Sequence, residues 1–272
     1  MPWGAVPRRL EAFAIAALGW PGIAQATFAP PIDQPLRHRL TEQRIVGATN
    51  ERFTSERLIR FSRDGDGYVA HVILMGGATP GQGAGAIFSW MMTAFAGRTL
   101  VFRLDKQGAV TAIEDQAALW EQLCTTIAAT PGQPADRAEK LRALAAQLRA
   151  APKASRQKML GSIVTGLIAV DADRLAPGNR TVQVPVAGAP APLPGTERVE
   201  ISDGRTRIEV AAAGGVTLGS IAGRIDWRQN REIDTATGLV LAERSERRVM
   251  LKARPNAPAS LSIITASFDK VS

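Results

Sequence analysis

The stretch that decides the fold is Ile-Ala-Gly-Arg-Ile-Asp-Trp-Arg-Gln-Asn-Arg-Glu-Ile, residues 221–233. Its odd positions are mostly apolar and include Ile221, Ile225, Trp227 and Ile233. Its even positions from 224 to 232 are all polar. Because side chains alternate between the two faces of a strand, this segment has one dry face and one wet face. Such alternation is typical of an antiparallel sheet that is covered on one face only.

Three β-hairpins are predicted where turn residues stand between two alternating segments. Each hairpin consists of a strand, a turn and a returning strand. In chain order these are 53–61, 64–67 and 68–74; 100–104, 105–108 and 109–113; and 221–233, 234–238 and 239–251. A further strand over 261–268 completes the predicted sheet.

The middle of the chain changes from the period of a strand to that of a helix. Leu119, Leu123 and Ile127 are spaced by four, and similar apolar spacing recurs near 141–148 and 160–170. We therefore predict three helices between about 115 and 172, with Asp115 and Ser155 as N-caps. The predicted fold class is α+β: a large curved antiparallel sheet, similar to a half-barrel, with this helical insertion packed against one face or rim.

The first 26 residues have the layout of a secretory signal peptide. Arg8 and Arg9 form a basic start, an uncharged apolar run covers 12–20, and Ala24 and Ala26 are the small residues that a signal peptidase reads. The pattern predicts cleavage after Ala26 and export, with the periplasm as the expected location. No later apolar stretch reaches the roughly 20 residues that a membrane-spanning helix needs. The Pro-rich segment 27–35 is expected to be a flexible arm, followed by one domain over 36–272.

Composition limits the classes of partner. The chain has 272 residues and a formal net charge of +8, but its charges are scattered rather than clustered. Basic residues do not alternate with aromatic residues on any one element, so we do not expect nucleic-acid binding. The single cysteine, Cys124, excludes an intramolecular disulfide and lies in a helical pattern, where a buried thiol is expected.

No motif for catalysis or for a cofactor is present. The sequence lacks the Gly-x-Ser-x-Gly pattern of serine hydrolases and the Lys and hydroxyl of a phosphate-binding loop. His38 and His71 lie on different predicted strands without metal-ligand spacing, so we expect both to face solvent and predict no metal site. We therefore expect a non-enzymatic protein without a cofactor. A hydrolase whose site is assembled in space remains an open alternative.

The apolar segment 87–95 is the candidate ligand-binding element. Aromatic residues and flexible methionines form adaptable surfaces for lipids or partner chains. The candidate ligand-binding residues are Phe88, Trp90, Met91, Met92 and Phe95. Two interpretations stay open: a helix buried against the sheet, or a lid over an apolar pocket.

A glycine-rich loop over 76–86 precedes this segment and would let a lid move. Gly81, Gly83 and Gly85 are the candidate hinge residues.

Two hairpins and the helical middle together support a resemblance. The hairpin over 102–113, the helical region with its Pro-rich exit, and the hairpin over 233–241 follow one another in the same order as in a known group. In this layout the chain resembles exported bacterial families classed as domains of unknown function, and it is similar to the half-barrel proteins that carry lipoproteins. The resemblance covers most of 36–270. It implies a concave sheet that shelters an apolar group, with helices as a lid, and it implies no catalytic residue.

The expected function follows from these features. We expect an exported protein that binds an apolar or lipidic ligand in a concave sheet under a hinged helical lid, with arginines on nearby strands meeting an anionic headgroup. The alternative is a structural or assembly factor of the cell envelope that docks a partner protein through the 87–95 patch.

Overall fold

The computed structural model describes residues 28–75, 84–130, 134–169, 176–218, 221–251 and 254–270. The side chains of 84–88, 218, 254–259 and 270 are outside this description. The predicted signal peptide, 1–26, also lies outside the described residues. Within the described part, the chain forms one 11-stranded antiparallel sheet and four helices.

Most of the predicted strands extend beyond the alternating segments that predict them, whereas those predicted over 109–113 and 239–251 are each one residue shorter. Five precede the helical insertion: β1 Leu36–Val46, β2 Thr49–Asp64, β3 Gly67–Leu74, β4 Thr99–Leu104 and β5 Val110–Ile113. Six follow it: β6 Gly178–Val184, β7 Leu193–Ser202, β8 Arg205–Leu218, β9 Ile221–Asp234, β10 Val240–Leu251 and β11 Arg254–Lys270.

The sheet is built from two meanders that meet in its middle. The strand order is β5-β4-β3-β2-β1-β11-β10-β9-β8-β7-β6, so the first strand pairs with the last. The β1–β11 ladder runs from Leu36 opposite Lys270 to Val46 opposite Ser260. The edge strands β5 and β6 are not neighbours in this order, so the sheet is open.

One helix lies between β3 and β4, and the other three form the insertion between β5 and β6. They are α1 Ala84–Phe95, α2 Gln116–Ala128, α3 Ala135–Arg149 and α4 Lys153–Thr165. The three predicted helices of the insertion are confirmed. None of the helices in the described part of the chain is long and apolar enough to cross a bilayer.

The two faces of the sheet differ in chemistry throughout. The face on which the helices pack, called here the inner face, carries the buried residues of every strand, such as Ile59, Val72, Ile208 and Ile225. The outer face carries charged cross-strand pairs, for example Arg205 with Glu232. The prediction of one dry and one wet face is confirmed, and it follows from the alternation of side chains along each strand.

The main core lies between the helices and β1–β5. Its fully buried members include Phe61 and Phe102 from the sheet and Trp120, Leu123 and Ile127 from α2. The indole Nε1–H of Trp120 donates to the carbonyl of Leu148 at 2.9 Å, which joins α2 to α3. Cys124 is buried in the same core, as predicted.

The Pro-rich segment before β1 is not a flexible arm in its described part. Phe28 is 2% exposed and packs edge-on against Phe61 and Tyr68. The Tyr68 hydroxyl donates to the carbonyl of Phe28 at 2.7 Å. Ile32 forms a bridge with Phe61. Prolines disfavour regular secondary structure, but the burial of Phe28 in the core and the bridge of Ile32 to β2 hold the segment in place.

The predicted N-caps have different outcomes. Ser155 is not an N-cap, because α4 begins at Lys153 and Pro152 occupies the cap position. Asp115 is the N-cap residue of α2, as predicted, although it adopts a left-handed conformation and makes no side-chain cap hydrogen bond. The β11 strand begins seven residues before the predicted 261, with Pro258 at an irregularity in the β10–β11 ladder. A proline is tolerated there because the β1–β11 pairing ends at Ser260.

Candidate ligand-binding face

The inner face continues beyond the area that the helices cover. On the central strands β1 and β11, Leu40, Ile264 and Ala266 are half-buried and share this face. In the register of the ladder Leu40 lies opposite Ala266, and Ile264 lies opposite Glu42. We call Leu40, Ile264 and Ala266 the apolar strip. It extends the main core outward from Phe268, which is 9% exposed and belongs to that core.

The candidate residues of 87–95 form part of the core. Met91, Met92 and Phe95 are 6%, 2% and 0% exposed and pack in one cluster with α2 and the sheet. Trp90 is half-buried and packs against the same cluster. The side chain of Phe88 lies outside the described residues. Of the two interpretations left open by the sequence, the placement of Met91, Met92 and Phe95 matches the buried helix.

The hinge residues are only partly described. Gly81 and Gly83 lie outside the described residues. Gly85 is not in a loop, because α1 begins at Ala84 and includes it in its first turn. The helix therefore includes the last three residues, 84–86, of the predicted loop.

A buried polar pair connects the sheet to the helices. His38 and Arg57 lie opposite each other on β1 and β2 and are 4% and 5% exposed. From Nη1, Arg57 donates to the carbonyl oxygen of Ile163 in α4. Burial lowers the pKa of His38 to about 3, and the Arg57 charge acts in the same direction. Burial also lowers the pKa of Arg57, to about 10. At neutral pH the histidine is therefore neutral and the guanidinium is charged.

This burial corrects the prediction that both histidines face solvent. His38 packs against Phe268, with 5.7 Å between ring centroids, on the inner face. His71 pairs with the exposed Arg60 on the outer face. Since the two histidines lie on opposite faces of the sheet, they do not share a metal ion. The sequence did contain a signal for His38, because it has the same parity as Leu36 and Leu40 along β1.

Ion pairs continue across the inner face beside the apolar strip. Their side chains are less exposed than those of most outer-face pairs; for Arg44 and Glu42 the exposed fractions are 20% and 13%. On β9 and β10 the Glu243 carboxylate accepts from Arg231 Nε at 3.0 Å and from Gln229 Nε2 at 2.8 Å. Arg180 and Glu197 form a third pair on β6 and β7. The uncovered part of this face thus has the apolar strip at its centre and charged pairs around it, from Glu42 and Arg44 on β1 to the pairs on β10 and β6.

The β6–β7 connection, residues 185–192, folds over the far end of the inner face. Val186 joins a second apolar cluster that includes Ile225 and Val249, and Trp227 packs partly against this cluster. From Nη1, Arg247 donates to the carbonyl of Ala187 at 2.7 Å and holds the connection in place. We call the helices α1–α4 that pack on the inner face the helical layer. The apolar strip therefore lies between the helical layer on one side and the 185–192 connection on the other.

The outer face has grooves, but their chemistry differs. Two shallow grooves of about 500 and 820 Å³ run over β6–β9. They share Thr196, Ala211 and Arg228, and their remaining walls are mostly charged or amide side chains. An apolar ligand would bury little surface in them.

The described residues offer little for catalysis. They contain no group of three or more His, Cys, Asp or Glu side chains placed to hold a metal ion. Burial raises the pKa of the Cys124 thiol, which is the opposite of what a nucleophilic cysteine needs. Ser55 has a buried hydroxyl without a hydrogen-bond partner among these residues.

Comparison with known proteins was made by family, by curated sequence and by solved structure. No protein-family model matches the chain, and no curated protein matches it. Among solved structures, a LolA superfamily protein from Nitrosomonas europaea aligns with 91% of this chain and 90% of its own at 8% identity, with a TM-score of 0.20. The chain is thus similar to this protein along most of its length, at an identity and TM-score too low to transfer a fold or a function.

Proposed function

We propose that this chain is a non-enzymatic, exported binding protein that holds an apolar or lipidic ligand on the inner face of its sheet. The observation that carries the proposal is the apolar strip. Leu40, Ile264 and Ala266 continue the inner face of the main core past the helical layer and stay half-exposed. Burial of apolar surface contributes about 25 cal/mol per Å², so the hydrocarbon chain of a ligand that lies along this strip gains binding energy.

The helical layer is suited to adjust over such a ligand. Apart from apolar packing, polar contacts between the layer and the sheet include Arg57 to the Ile163 carbonyl and Gln157 to the carbonyls of Val110 and Thr111. The Gln157 contacts join an uncharged amide to backbone carbonyls, so they can break and re-form when the layer moves. The Arg57 guanidinium is 5% exposed and charged, so a movement of α4 must keep it bonded to an acceptor. A movement of the layer away from β1 would widen the apolar strip toward Met92 and Phe95. The proposed lid is therefore the whole layer rather than 87–95 alone.

The docking alternative has less support. A partner that docked through 87–95 would need its apolar side chains at the surface. Met91, Met92 and Phe95 are buried, which leaves Trp90 as the half-buried aromatic of the described part of this segment.

The first test is native mass spectrometry of the protein purified gently from the envelope of its own cells. We expect extra mass that extracts into organic solvent. A bare polypeptide mass in several such preparations would favour the docking alternative.

A second test uses matched variants and the neutral apolar fluorophore N-phenyl-1-naphthylamine. Ile264→Asn places a polar amide in the apolar strip, whereas Ile263→Asn changes the next residue, which faces the other side of the sheet. We expect Ile264→Asn to weaken binding at least tenfold and Ile263→Asn to leave it unchanged. Equal affinities for both variants would contradict binding on the inner face.

A further inference from the structure

Two arginines converge on the inner face at the edge of the apolar strip. Arg44 on β1 lies opposite Ser262 on β11, and Ser262 lies opposite Arg247 on β10. Since directly opposite residues share a face, Arg44 and Arg247 lie on the same face of the sheet, one on each side of Ser262. Neighbouring strands are about 4.8 Å apart, so the two arginine backbones are roughly 10 Å apart, a distance that their long side chains can bridge.

Arg44 and Arg247 differ in the charged groups that lie beside them. Glu42 accepts hydrogen bonds from Arg44 Nε and, at 3.3 Å, from the Ser262 hydroxyl. Arg247 donates to the Ala187 carbonyl, and within the described residues no carboxylate oxygen lies within 4.0 Å of it. Burial lowers the pKa of Arg247, and the charge of Arg44 lowers it further. Arg44 thus has Glu42 beside it and Glu51 opposite it on β2, whereas the half-buried Arg247 has no carboxylate partner among the described residues.

Apolar groups surround the same point. The Arg44 guanidinium lies over the ring of Phe53, 5.9 Å from its centroid. Ile264 is two residues from Ser262 on the same face of β11, and Trp227 lies opposite Arg247 on β9. A half-buried guanidinium that bonds only a carbonyl, at the end of an apolar strip, matches an amphiphile with a negative head.

We propose that Arg44, Ser262 and Arg247 bind the anionic phosphate or carboxylate headgroup of a lipid whose apolar chain lies along Leu40, Ile264 and Ala266. This inference rests on the proposed function and names its ligand class. The headgroup supplies the anionic partner that Arg247 lacks among the described residues. When the headgroup binds, the Ser262 hydroxyl turns from Glu42 and donates its hydrogen bond to the headgroup instead.

The test compares two amphiphiles with the same chain, dodecyl phosphate and the uncharged dodecyl maltoside, below their micelle concentrations. Binding is followed by displacement of N-phenyl-1-naphthylamine and by calorimetry. We expect the unaltered protein to prefer the phosphate at least tenfold, which corresponds to about 1.4 kcal/mol. Arg247→Gln should abolish this preference without changing the affinity for the maltoside. Arg248→Gln, on the outer face and paired with Glu246, should change neither affinity.

The remaining outcomes separate the possible failures. If Arg247→Gln unfolds the 185–192 connection, Arg247→Lys keeps the charge and should retain most of the preference. A preference that survives in Arg247→Gln and in Arg44→Gln would overturn the headgroup site while leaving the proposed function standing. Failure of the unaltered protein to bind either amphiphile would refute the proposed function itself. Inorganic phosphate that binds as tightly as dodecyl phosphate would show a free-anion site and overturn the lipid assignment.

Discussion

At the scale of single residues, the unusual feature is the polar pair His38–Arg57, which is buried on the inner face beside the main core. A buried polar group is costly unless it is paired, and Arg57 meets this need by donating to the Ile163 carbonyl. The neutral state of His38 avoids a second positive charge beside the guanidinium. The pair therefore makes the contact between sheet and helices sensitive to acid.

Replacing His38 by Leu should remove part of the acid sensitivity of folding. The unfolded histidine has a pKa of 6.5 and the folded one a pKa of about 3, so between these values the unfolded chain binds the extra proton. Stability contributed by neutral His38 is then lost as the pH falls through this window, by up to about 1.4 kcal/mol per pH unit. Urea unfolding at pH 7 and pH 4 should show a smaller pH effect in His38→Leu than in the unaltered protein. His71→Gln, on the outer face, is the control, and equal pH effects in all three proteins would refute the assignment.

A glycine in the β4–β5 turn is required by both backbone and space. Gly108 has φ +84°, and a Cβ there would lie 2.7 Å from Ile168 Cγ2 and 3.1 Å from the Phe28 ring. Gly97 also has a positive φ, +71°, but has nothing within 4 Å of such a Cβ. We expect Gly97→Ala to cost about 1–2 kcal/mol from backbone strain, and Gly108→Ala to cost about 1–3 kcal/mol more from overpacking. Thermal unfolding of both variants measures the difference, and equal losses would show that the turn can move aside.

At the scale of elements, the sequence of α1 does not decide whether this helix is buried or acts as a lid. Its composition, with clustered aromatic residues and methionines, suits both a buried helix and a lid. The choice depends on what lies beneath the helix, and α2 and the sheet supply a complete apolar partner for Met92 and Phe95. By contrast, the three hairpins and the three inserted helices were predictable, because their turn residues and apolar periods act over a few residues.

The burial of α1 predicts unequal effects of two aromatic substitutions. Phe95→Ala removes a ring that is fully buried, so it should lower the free energy of unfolding by about 3–5 kcal/mol. Trp90→Ala, at a half-buried position, should cost clearly less. Urea denaturation monitored by circular dichroism gives both values. A larger loss for Trp90→Ala than for Phe95→Ala would mean that α1 packs differently from the structure described here.

At the scale of the whole molecule, the two ends of the described chain meet in the centre of the sheet. β11 pairs along its length with β10 and along most of its length with β1. Without β11, β1 and β10 would each have a long unpaired edge in the middle of the sheet. The two meanders would then be separated. The helical insertion, which connects the opposite edges β5 and β6, does not replace this pairing.

Truncation after Leu251 should therefore prevent folding, although it removes only the end of the chain. Loss of β11 removes backbone hydrogen bonds to two neighbours and the buried ring of Phe268. A truncation after Lys270 is the control and should fold normally. Limited proteolysis and amide NMR dispersion distinguish the two. A folded, protease-resistant protein ending at Leu251 would contradict the central role of β11.

By itself the sequence determined the class of the fold, the single dry face of the sheet, the hairpins and the inserted helices, because these depend on local turn chemistry and on the period of apolar residues. Only the tertiary structure decided that the first and last strands pair, that Phe28 anchors the segment before β1, that His38 is buried, and that Arg44 and Arg247 flank Ser262 on one face. These features depend on contacts between residues more than 200 positions apart, such as Thr265 and Thr41, which are 224 apart and for which local patterns carry no information.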